Sequence, residues 1–287
     1  MDYFKRLALA LLLTILASST AWALTIDYSY VGTHDFNSLN QAAYDAIGQQ
    51  TWMFTHASVG GNMLGGMDTL HSGDSNKYQL TTPTASSGSA PPAGGLTPGS
   101  VYDVNRGNPG WASKYTIFET MVKAGWGNSA DFVMDKLCYI DQAADVSVYL
   151  AMMNELEGQY SATFVYTTMP LTTGSGSSND LRNRYNEAVR AYAETNDKLL
   201  FDIADLEAHD EFGNEQTYVA GDGSVYQTLW SGWTDDGGHL NGDGRIMIAE
   251  AWYAVAASQA TPIPGTALLL GFGIAGLTVV RRRFTTA

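Results

Sequence analysis

Five short apolar runs of strand length recur along this chain, each separated from the next by a segment that reads as a helix, and this alternation restricts the fold more than any other feature. The runs are TWMFT (51–55), VYDV (101–104), DFVMDKLCYI (131–140), ATFVYTT (162–168) and KLLFDIA (198–204). Between them lie 58–71, 114–124, 145–158 and 179–195, and 243–258 follows the last. In 179–195, Leu181, Tyr185, Ala188, Val189 and Tyr192 recur at three- and four-residue spacing behind a cap at Asn179. Strands and helices in this order imply right-handed crossovers and a parallel sheet covered on both faces. The expectation is a three-layer α/β domain of about five strands. The stretch 24–50 is ambiguous except for a helix around Ser38 to Ile47.

The two ends do not share this pattern. Lys5 and Arg6 precede an apolar run from Leu7 to Ala17 and an Ala21-Trp22-Ala23 site, so 1–23 reads as a secretory signal peptide. At the other end a Pro/Gly break precedes an apolar run from Thr266 to Val280 and the cluster Arg281, Arg282 and Arg283. Basic residues stay on the cytoplasmic side, so this arrangement leaves the preceding domain outside the inner membrane. The organisation expected is a signal at 1–23, a domain at 24–261 and a transmembrane sorting tail at 262–287. Within the domain, 81–100 is almost wholly Pro, Gly, Ser, Thr and Ala and reads as a flexible surface loop.

Charge narrows the partners. The segment 24–265 holds 10 basic and 28 acidic residues, a formal charge of 10 − 28 = −18, which repels phosphate backbones and argues against a nucleic-acid partner. The one cysteine, Cys138, excludes an internal disulfide and sits in an apolar stretch that suggests a buried thiol.

Ligands of open parallel sheets bind beyond the C-terminal ends of the strands, and Ser58 follows the first strong strand there. Alone it is either a nucleophile or a helix cap. A nucleophile needs a base, and of the five histidines only His239 has a carboxylate three residues before it in a Gly-rich loop, Asp236 in DGGHLNGDGR. Asp202 and Asp205 are alternative partners for His239 or caps of the next helix. Trp230 and Trp233, with Tyr226, either stack on sugar rings or pack in the core. His56 either lines the site or is a hydrogen-bonded turn residue. HLNGDGRIMIAE also places Asn241, Asp243, Gly244, Ile246 and Glu250 at positions of an EF-hand calcium loop that begins at His239, a competing reading of the same residues.

His56-Ala57-Ser58-Val59-Gly60 with KLCYID, YTTMPL, FDIADLE and DGGHLNGDGR resembles the SGNH (GDSL-like) hydrolases, in their divergent H-x-S-V-G branch, over roughly Phe54 to Ala256. The resemblance implies a flavodoxin-like fold and ester hydrolysis through an acyl-serine without a cofactor. Ser58 would be the nucleophile, His239 the base and Asp236 its orienting acid. The family's third block, G-x-N-D, supplies an oxyanion donor from its Asn, and CYID (138–141) has none. The oxyanion donors expected are Ser58, Gly107 and Asn108, the last two from NRGNPG after the second strand. The C-terminal tail resembles the PEP-CTERM sorting signals, with Ile263 where that family usually has Glu. Together these resemblances imply an exported esterase at the envelope or in the extracellular matrix. It would act on an ester-bearing carbohydrate or lipid, held by its tail in the inner membrane and handled by an exosortase-type processing enzyme. A non-catalytic polysaccharide-binding or matrix protein on the same fold is the alternative.

Overall fold

A computed structural model describes residues 23–260. The signal segment expected from the sequence, apart from Ala23, and the whole of the expected tail lie outside the described residues. Among the described residues no helix is long and apolar enough to cross a membrane.

The strands are β1 (Leu24–Ile26), β2 (Thr51–His56), β3 (Ser100–Asn105), β4 (Phe132–Asp135), β5 (Thr163–Thr167) and β6 (Leu199–Phe201). They form one parallel sheet in the order β1-β6-β5-β4-β2-β3. The five expected strands are all present, in the flavodoxin-like arrangement, and β1 adds a sixth at the far edge. β1, three residues inside the stretch that the sequence leaves ambiguous, was not legible. The sheet order reverses between β2 and β4, the topological switch point at which such folds bind ligands.

The helices are α1 (Tyr28–Thr33), α2 (Gln41–Ile47), α3 (Val59–Gly73), α4 (Trp111–Met121), α5 (Val146–Glu157), α6 (Ser177–Thr195), α7 (Ile203–Ala208) and α8 (Gly242–Ala260). Strand side chains alternate between two cores. Trp52 and Phe54 of β2 pack with Met63, Met67, Trp252 and Val255 of α3 and α8, while Met53 joins Phe118, Met153 and Val189 of α4, α5 and α6. Helices α3 and α8 approach so closely that a Cβ on Gly66 would lie 2.0 Å from the Arg245 carbonyl oxygen, so only glycine fits.

β4 and β6 are much shorter than their apolar runs. β4 stops at Asp135 and the chain turns into a 3₁₀ turn at Tyr139–Asp141, whose Asp141 carboxylate accepts from the Cys138 N–H at 2.8 Å. β6 stops at Phe201 because Asp202 caps α7, accepting from the Asp205 N–H at 3.2 Å. The Pro/Gly/Ser-rich segment begins by running beside β3, with Val101 donating to Thr81 and Asp103 to Pro83, both at 2.8 Å. It thereby covers hydrogen-bonding groups on an otherwise open sheet edge. A small antiparallel pair, β7 (Thr217–Val219) and β8 (Val225–Gln227), precedes α8.

Candidate active site

The chain turns sharply after β2. Ser58 precedes α3 with φ 52° and ψ −112°, a left-handed φ uncommon for a residue with a side chain. Its side chain makes no capping hydrogen bond to α3, which removes the helix-cap reading. Its Oγ lies 2.6 Å from His239 Nε2 instead. On the other side of the imidazole, Nδ1 is 2.7 Å from Asp236 Oδ2.

The loop before α8 is built around the Asp236 carboxylate. Its Oδ1 accepts from the backbone N–H groups of Gly238 at 2.9 Å and His239 at 2.7 Å. These bonds, the His239 N–H first, hold the Asp236 carboxyl well below the usual carboxylate range. It therefore stays ionised and fixes the Nδ1–H tautomer, leaving Nε2 free to accept the serine proton. Asn62 of α3 ties this loop to the elbow by accepting from the Leu240 N–H at 3.2 Å. The result is a serine hydroxyl, a base and an orienting carboxylate in one line of hydrogen bonds, the arrangement that activates a hydroxyl nucleophile. A depression of about 290 Å³ opens beside it, lined by Asp235, Asp236, His239, Leu240, Asn241, Gly242 and Arg245.

Other residues singled out in the sequence lie elsewhere. His56 is 1% exposed, and its ring lies against Gly60, whose added Cβ would fall 2.4 Å from the His56 Cβ. Its Nε2 is 2.7 Å from Asp103 Oδ1, and burial pushes the imidazole down against that partner. Gly107, at φ 64°, is a turn residue whose N–H already donates to Asn105 Oδ1 at 3.0 Å, so it is not a free oxyanion donor. Asn108 is held through its Oδ1 by Lys114 Nζ at 2.8 Å, which leaves its NH₂ end available.

Trp230 and Trp233 do not line the depression beside His239. Trp233 donates its indole N–H to the His209 carbonyl at 2.8 Å and packs on the core, and Trp230 meets it edge-on at 4.8 Å. Tyr226 is buried. Asp202 pairs with Arg190 rather than His239, at 2.5 Å, and Asp205 lies beside His209. These two aspartates line a separate cavity of about 480 Å³ with Arg190 and Gln227. The calcium-loop reading fails because α8 begins at Gly242, so residues 242–250 are already helical and cannot wrap an ion. Glu250 faces Tyr78 at 3.5 Å instead.

Tyr139 was missed. It follows β4 across the switch point from Ser58, and its Oη lies 3.5 Å from His239 Nδ1 with the two rings edge-on, 5.4 Å apart. Cys138 beside it is buried and unpaired, as expected.

No known family model matches the chain, and no curated protein does. Among solved structures it is similar to a protein from Desulfitobacterium hafniense DCB-2 described as lipolytic and of the G-D-S-L family, at 12% identity and a TM-score of 0.45. The match covers 71% of this chain and 99% of that one.

Proposed function

We propose that this chain is a serine ester hydrolase of the SGNH type. The observation that carries the reading is the unbroken relay from Ser58 Oγ through His239 to Asp236, joining residues 181 positions apart. Ser58 Oγ attacks the acyl carbon as His239 Nε2 takes its proton, and the same imidazole returns that proton to the departing alkoxide. Water, deprotonated by His239, then attacks the acyl-serine and frees the acid. The Ser58 N–H belongs to the N-terminus of α3, where helix geometry leaves donors without intrahelical partners and favours negative charge.

The natural substrate we propose is an O-acyl group on an envelope or extracellular polysaccharide. The reading is supported by the signal-like and tail-like ends, which point to export and a transient inner-membrane anchor, and by the acidic domain. In this proposal the exosortase-type enzyme processes the tail.

The test is hydrolysis of p-nitrophenyl acetate by the full chain beside Ser58→Ala. The rate should vanish to background in the variant while its melting temperature is kept. An equal rate in both proteins, or none from the folded wild type, would leave a binding protein on this fold instead.

A further inference from the structure

The elbow and the D-x-x-H loop supply no side-chain donor of their own for the charge developing on the substrate's carbonyl oxygen, and Asn108, whose NH₂ end is available, makes its contact with Lys114 rather than with Ser58 or His239. The position that corresponds to the third-block Asn is Ile140, which has no donor and is 49% exposed. Gly107 has spent its N–H on Asn105. The neighbouring residue, Tyr139, is instead turned into the site.

Three sets of contacts hold it there. Its ring packs on the catalytic loop, where a Cβ on Gly238 would meet ring carbons at 3.0 Å, so Gly238 is the residue that admits it. Its carbonyl accepts from Arg182 Nε at 2.6 Å, and the Arg182 guanidinium sits 5.9 Å from its ring centroid. Arg182 is itself fixed by Thr172 Oγ1 and Asn179 Oδ1, each at 3.0 Å. The phenol thus lies beside the His239 imidazole, 3.5 Å from its Nδ1, while the Ser58 hydroxyl is held 2.6 Å from Nε2 of the same ring. Burial first, then Cys138 and Asp236, push this phenol up from its ordinary value, against Ser58 and Arg182. It is therefore a neutral O–H donor over the range in which esterases are assayed.

Resting on the hydrolase reading above, we propose that the Tyr139 hydroxyl is a catalytic donor that hydrogen-bonds the oxyanion of the tetrahedral intermediate formed on Ser58. As Ser58 Oγ bonds to the acyl carbon, the carbonyl π pair moves onto oxygen, two bonds from Oγ. In this proposal that oxygen comes within reach of the phenol, which is held against the same imidazole as Oγ. Tyr139 keeps its proton throughout. Collapse reforms the C=O bond and breaks the bond to the leaving oxygen, which His239 protonates. A preorganised donor at this point is worth about 100- to 1000-fold in kcat.

The experiment compares the full chain with Tyr139→Phe, Tyr139→Gln and Ser58→Ala, using p-nitrophenyl acetate for kcat and KM, and phenylboronic acid, which forms an anionic tetrahedral adduct on the serine. Tyr139→Phe keeps the ring on Gly238 and Arg182. It should lose about 100- to 1000-fold in kcat with KM and melting temperature held, and boronate affinity should fall in step. Tyr139→Gln, which supplies an amide donor, should recover part of the kcat lost in Tyr139→Phe. Wild-type kcat in Tyr139→Phe while Ser58→Ala is dead would overturn the Tyr139 assignment and leave the hydrolase intact. So would a loss confined to KM, or one matched by a fall in melting temperature. Full activity in Ser58→Ala would instead remove the hydrolase reading on which this one rests.

Discussion

The triad and the polar layer beneath it are both made of charged residues at the ends of neighbouring strands, yet they are built in opposite ways. The His239 and Asp236 side chains are 41% and 57% exposed and sit on a glycine-rich loop. Below the elbow, Arg106 and Asp135 form an ion pair at 2.9 Å with neither side chain exposed at all. Arg106 also donates to the Lys136 carbonyl at 2.9 Å, and Asp135 Oδ1 accepts from Thr55 Oγ1 at 2.5 Å. Lys136 and Glu207 are fully buried nearby, and neither Lys136 Nζ nor Glu207 Oε1 has a hydrogen-bond partner among the described residues. Burial pushes the Lys136 ammonium down and the Glu207 carboxyl up. The proposed triad thus sits partly exposed on a loop, whereas the buried layer ties the ends of β2, β3 and β4 together beneath it. A buried pair of this kind is stabilising only relative to losing one partner.

That contrast can be broken most sharply at the triad. Asp236→Asn should keep the loop's Oδ1 contacts yet disturb the imidazole tautomer, lowering kcat by about 10⁴-fold with no more than a small shift in melting temperature. Ester hydrolysis and thermal unfolding, measured side by side, check this. A rate near wild type would mean that the carboxylate only shapes the loop.

The buried layer should respond in the reverse sense. Arg106→Met leaves the Asp135 carboxylate buried without its counter-charge, and unfolding in urea should show a loss of about 3–5 kcal/mol. Replacing Asp135 by Leu as well should restore much of it. If the single variant is as stable as wild type, the pair is not what joins these strand ends.

The smallest effect expected is a pH slope. Lys136→Met removes a charge that draws the Glu207 carboxyl down, so that group rises further above its ordinary value. A carboxyl whose folded value is raised adds stability below the unfolded value and loses it as pH climbs toward the folded one. Wild type and variant should therefore run in parallel from about pH 5 to pH 8 and diverge only above about pH 8, where the wild-type carboxyl has lost its proton and the variant's has not, Glu207 contributing at most about 1.4 kcal/mol per pH unit. Curves that stay parallel above about pH 8 would show that Glu207 does not feel Lys136.

Much of the outline was legible in the chain itself. Strands β2 to β6 and the helices between them follow from apolar runs bounded by glycine and caps, because periodicity and capping are short-range. The residue types of the triad were legible too, since an elbow after a strand and a D-x-x-H loop before the last helix are local patterns. The surroundings of His56, Trp230 and Trp233 were not legible, for the complementary reason. Which way a ring turns depends on what packs against it, here Gly60 for His56 and the His209 carbonyl for Trp233.

What the sequence determined by itself, then, is the alternation of strands and helices and the residue types of the proposed triad. The tertiary structure alone decided that Ser58 meets His239, that Tyr139 takes the place beside them, that β1 joins the sheet through three residues, and that Arg106 and Asp135 are sealed beneath. The physical reason is separation along the chain. Ser58 and His239 are 181 residues apart, Tyr139 and His239 100, and Thr55 and Asp135 80. No local propensity carries such pairings; they exist only once parallel crossovers have brought the C-terminal ends of the strands to one edge of the sheet.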